Sequence, residues 1–116
     1  MTPELEALGR QAVACKGWRW MPGMHATVPK NLPMAWGTTR ACRIPHSVHP
    51  TMVPDLSDPA TLGCLLALVR DAWGDPLAHV APVAGGWRVW LEVDLEVFFD
   101  GATEAEALVA ALEAAP

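Results

Sequence analysis

The residues whose types and spacing come closest to ligand chemistry are Cys42, His46 and His49, with His25 upstream. They read Cys42-x-x-x-His46-x-x-His49. Thiolate and imidazole donors suit zinc. The spacing matches no standard zinc pattern, and no C-x-x-C pair completes a tetrahedral set. Ordinary loop residues are the competing reading, and no bound metal or cofactor is expected. Cys15 and Cys64 fall on apolar helical surfaces and read as inert buried thiols, because a reactive thiol needs electropositive surroundings. Asp55, Asp58, Asp71 and Asp75 flank one predicted helix, where caps and solvated ends account for all four. Gly85-Gly86 reads as a hairpin turn and not a phosphate loop, since no helix follows it. With no nucleophile–base pair, no H-E-x-x-H and no Ser-His-Asp order, an enzyme is not expected.

Those side chains must be held by a chain of 116 residues, 52% hydrophobic and 18% charged. That length and composition predict one globular domain, 1–116, able to fold without disulfides. A net charge of −5 argues against general nucleic-acid binding, which calls for clustered Lys and Arg. The opening MTPELEALGR lacks a basic start and an apolar segment, so no secretory leader is expected. No apolar run approaches the roughly 20 residues of a membrane span. Three cysteines, an odd count without tight spacing, suit reduced thiols and a cytoplasmic setting in a bacterial host.

The longest apolar run, Pro59–Trp73, predicts the central helix, capped by Ser57 or Asp58 and ended by Gly74-Asp75-Pro76. It is apolar on nearly every side, with Thr61, Arg70 and Asp71 as its polar positions. It should therefore be covered from more than one direction. An earlier helix starts at Thr2-Pro3, carries a Leu5, Leu8, Ala12, Cys15 stripe and closes at Lys16-Gly17. Pro22-Gly23 reads as a turn. Pro29, Pro33, Pro45, Pro50 and Pro54 break up residues 25–57, leaving His25–Val28 and Thr38–Ile44 as short or edge strands. After the central helix the period becomes alternating, which predicts strands Leu77–Val83, Gly86–Val93 and Leu95–Phe99. Asp94 is expected in the second turn. Trp90 shares a face with Arg88 and Glu92, either covered by a helix or part of an exposed patch. Thr103-x-x-Glu106 is a capping box opening the last helix. The sum is α+β: a three- to four-stranded antiparallel sheet with about three helices in a helix–sheet–helix arrangement, and a Pro-rich irregular segment over 25–57.

GWRWMPG at Gly17–Gly23, DLSDPATLGCLLALVRDAWG at Asp55–Gly74, Trp87-Arg88-Val89 and TEAEALVAALEAA at Thr103–Ala115 together resemble small uncharacterised phage and prophage proteins, including the phage ABA-sandwich domain family. The resemblance implies helix–sheet–helix layering and a phage context, with no catalytic residues to carry over. The expected role is a phage-type accessory protein that binds a host or phage protein, with inhibition of a host defence system (an anti-CRISPR-like role) as one version. The expected contact residues are Trp20, Met21, Met24, Met34, Trp36 and Met52, since aromatic and Met side chains favour interfaces. A self-assembling protein, such as a homodimer, and a zinc- or ligand-binding module are the alternatives.

Overall fold

A computed structural model of the protein describes residues 2–27, 41–43 and 52–116, with backbone alone for 41–43. The described elements run α1 (Pro3–Val13), β1 (His25–Thr27), β2 (Ala41–Arg43), β3 (Val53–Pro54), α2 (Pro59–Trp73), β4 (His79–Val83), β5 (Gly86–Trp90), β6 (Phe98–Gly101) and α3 (Glu104–Ala114). The class is α+β, as expected. The strands are divided between two antiparallel sheets, ordered β2-β1-β3 and β4-β5-β6. Short strands do form in the Pro-rich stretch, and its Pro54 sits on the edge strand β3, where a missing N–H costs little.

The helix starts follow their local chemistry. The Thr2 hydroxyl accepts from the Leu5 amide, Asp58 from the Thr61 amide, and Thr103 from the Glu106 amide. Glu106 reaches back to the Ala102 N–H, one residue beyond the usual capping-box donor. At Pro22-Gly23 the Met24 amide donates to the Met21 carbonyl, and Gly23 at φ 96 supplies the positive φ of a type II turn. The first helix is shorter than its stripe suggests. It ends at Val13, with Ala14 as C-cap, and turns through Cys15. Gly17 is therefore no left-handed cap. Its bare Cα lets Ala72 and Leu112 approach to within 3.1 Å of where a Cβ would stand.

The core is built on α3, whose Leu108, Val109, Ala111 and Leu112 are almost wholly buried. Burying each Leu contributes about 1.5–3 kcal/mol relative to exposure. This helix packs on the inner face of β4–β5–β6, where Val80, Val89 and Phe99 stand opposite one another. It also packs against α2 and α1. Leu65, Leu68 and Val69 bury one side of α2, while the Trp73 indole donates to the Ala111 carbonyl at 2.8 Å. Thr61, polar by type, is fully buried and ties α2 to β1: its hydroxyl accepts from the His25 amide and donates to Asp58, both at 2.8 Å.

Strands β5 and β6 differ from the alternation in the sequence for one reason each. The Glu92 and Val93 amides turn away from any neighbouring strand and donate to the Asp75 carboxylate, so β5 stops at Trp90. Asp94 accepts from the Glu96 amide with its side chain and from the Val97 amide with its carbonyl. That turn consumes Leu95 and Glu96 and delays β6 to Phe98. In β4, Pro82 pairs with Trp87 one step from the loop-closing Val83–Gly86 pair. Alternate antiparallel pairs do not exchange hydrogen bonds, so the proline nitrogen lies on the outer edge and removes no ladder donor.

A candidate interaction surface on the open sheet

Cross-strand partners share a face of a sheet. The register places His79, Trp90 and Phe98 in one row and Ala81, Arg88 and Asp100 in the next, on the side away from α3. The His79 and Trp90 rings stack, with centroids 5.1 Å apart and planes at 21°. The Arg88 guanidinium lies 4.2 Å above the Phe98 ring and 5.9 Å from Trp90. It is fixed there by a two-pronged contact with Asp100, Nε to Oδ1 at 2.6 Å and the second nitrogen to Oδ2 at 3.0 Å. That contact raises the Arg88 pKa further and holds the Asp100 carboxyl below the ordinary range. The result is a flat π–cation–π surface with its charge balanced internally.

The His79–Trp90–Phe98 end of this sheet carries most of the exposed large apolar side chains among the described residues. Among the described residues five large apolar side chains are exposed, and Leu77, Val93, Leu95 and Phe98 are four of them, at 67%, 58%, 72% and 47%. The fifth, Val13, ends α1. Asp75 ties the backbone at Leu77 to the backbone at Val93. Its buried carboxylate accepts from the Leu77 amide through Oδ1 and from the Glu92 and Val93 amides through Oδ2. Burial opposes its charge, but these backbone donors, with Ala78, outweigh that and lower its pKa. Asp75 is thus a buried brace, not the solvated helix end that its position suggests.

The other carboxylates near α2 are also engaged. Asp71 pairs with Arg19 at 2.6 Å. Asp55 stands between Ser57, whose amide and hydroxyl donate to Oδ1, and His25, whose Nδ1 is 3.2 Å from Oδ2. Burial works against its ionisation, and the Ser57 and His25 contacts outweigh it, so its pKa is lowered. This brings Ser, Asp and His together in the wrong order for nucleophile activation, because the hydroxyl bonds the carboxylate and not the imidazole. A shallow depression of 480 Å³ is lined by Ala67, Arg70, Asp71, Gly74, Asp75 and Pro76. Its charged groups are committed elsewhere, Arg70 to the Ala78 carbonyl.

No family model, curated protein or solved structure matches this chain.

Of the contact residues singled out in the sequence, the described ones lie in or against the core. Met24 and Met52 are core residues, at 0% and 8% exposure, so their side chains cannot reach a partner from the folded state. Trp20 and Met21 are half-buried against the same core. Trp18 and Trp20 meet edge-to-face at 5.3 Å, and the buried Trp18 indole N–H has no partner among the described residues. Met34, Trp36, His46 and His49 lie outside the described residues, and Cys42 is described by its backbone alone, opposite Ala26. Trp90 and Arg88 share a face, as expected, and both are partly exposed on it. No helix among the described residues is long and apolar enough to cross a membrane.

Proposed function

We propose that this chain is a small phage-type accessory protein that acts by binding another protein, and that it binds through the open face of β4–β5–β6. The observation that carries the binding surface is that four of the five exposed large apolar side chains among the described residues, Leu77, Val93, Leu95 and Phe98, flank the His79–Trp90–Phe98 end of this sheet. Exposed apolar side chains concentrated at one end of a fold mark interaction sites, and the stacked His79 and Trp90 rings and the Arg88–Asp100 pair are already fixed in place, which lowers the entropic cost of binding. The phage context rests on the likeness of Gly17–Gly23, Asp55–Gly74 and Thr103–Ala115 to phage proteins. Inhibition of a host defence protein is the version of this role that such a context suggests.

The test is a photo-crosslinking amino acid placed at Leu95, or at the exposed Lys16 as control, in protein expressed in a bacterial host. The expected result is a discrete adduct with a different protein from position 95 only, lost when Phe98→Ser is added. An adduct with a second copy of this chain, or none at all, overturns the reading.

A further inference from the structure

We infer that the open sheet face receives a cationic segment with one apolar side, such as a basic amphipathic helix of the partner protein. This rests on the binding reading above and adds the chemistry of the partner. The charge distribution carries it. Residues 89–116 hold seven of the thirteen acidic residues and not one Lys or Arg. Three of these acids, Glu92, Asp94 and Glu96, are exposed and interleave with Val93 and Leu95 along one stretch. Among the described residues none of the three has a cationic partner. The arginine on the face is already neutralised, since Arg88 is gripped by Asp100 through both prongs.

This end of the sheet thus presents exposed apolar side chains alternating with acids. A second copy would bring one acidic stretch toward another, and like charges across an interface are costly. Anionic lipid and nucleic acid are repelled for the same reason. A helix with apolar residues at i, i+3, i+4 and i+7 and Lys or Arg alongside satisfies both features. Its apolar side covers Val93, Leu95 and Phe98 while its cations meet the glutamates.

The probe is a synthetic Leu/Lys peptide of about 18 residues, five helical turns, with Leu at those helical positions. A Leu/Glu peptide of the same pattern and a Lys/Ser peptide lacking the apolar side are the controls. Amide chemical shifts of the full chain report where each one binds. The Leu/Lys peptide is expected to move the amides of residues 92–98. Its affinity should fall about tenfold or more as salt rises from ~50 to ~500 mM, as screening shortens the reach of the acidic charges. The double variant Glu92→Lys/Glu96→Lys should lose the same binding with its other amides unmoved. Asp94 is left intact because it holds the turn. If Leu/Glu binds the same amides equally well, the charge assignment is overturned while the binding face survives. If Lys/Ser binds equally well, the apolar assignment is overturned. If the position-95 crosslink forms but no peptide moves these amides, the inference fails alone; if neither happens, it fails with the reading beneath it.

Discussion

Replacing Thr61 by Val tests how the first sheet is held to the central helix. The two side chains are nearly the same size and both are branched at Cβ, so packing and helix propensity change little. What disappears is the hydroxyl. It accepts the His25 amide at 2.8 Å and donates to Asp58 at 2.8 Å, at a position with no solvent exposure. In the variant the His25 N–H faces a methyl group, and an unsatisfied buried donor costs about 1–3 kcal/mol. Asp58 keeps the Thr61 amide, so the loss on that side is close to one ordinary hydrogen bond, about 1 kcal/mol. The sum is a destabilisation of about 2–4 kcal/mol. With an unfolding entropy of about 2.1 cal/mol/K per residue, that lowers Tm by about 8–16 °C. Urea denaturation checks it, with the slope m expected to stay unchanged. Thr61→Ser keeps the hydroxyl and loses one methyl, about 1 kcal/mol, so the expected order of stability is Thr, then Ser, then Val. A Val variant within about 0.5 kcal/mol of the parent, or one more stable than Ser, refutes the assignment.

Two further outcomes follow from the site. Gly101→Ala should destabilise by about 1–3 kcal/mol, because an added Cβ would come within 2.7 Å of the Glu106 Cβ and overlap the first turn of α3; an unchanged denaturation midpoint would show that β6 and α3 are less closely packed. Asp75, Asp55 and Asp100 all have folded pKa values below the ordinary 3.8, so the stability they contribute is full above that pH and is lost as pH falls through the folded values. Asp75→Asn should lower stability at pH 7, since a carboxamide cannot accept on both sides, and should show a shallower acid slope below about pH 4 than the parent; identical slopes would sink the role given to Asp75.

The parts of the fold legible from sequence are those whose cause is local. Thr2, Asp58 and Thr103 cap helices because a short oxygen side chain sits three residues before an orphan amide, and such spacing is visible in one dimension. The hairpin at Ala84-Gly85 is visible for the same reason. The partner of Asp75 is not. Its carboxylate bridges 17 and 18 residues forward to backbone amides, which carry no residue-type signal. The alternation of Leu95, Val97 and Phe99 imitates a strand, while the Asp94 turn decides where the strand starts. At the site, the shared face of Arg88 and Trp90 follows from period two. That this face stays open depends on where α3 packs, which the period does not contain. Met24 and Met52 mislead because Met suits a core gap as well as it suits an interface.

Pro82 has a consequence beyond tolerating its place in β4. A sheet with an unpaired edge strand runs the risk that copies of it will add strand to strand and grow without limit. The proline removes a donor from the outer edge of β4 and interrupts that template at the strand's second-to-last residue. Such growth needs an unbroken row of amides, whereas side-chain docking on the face needs none. Pro82→Val would leave the face as it is and restore the missing amide, making the outer edge of β4 a more complete template for strand addition.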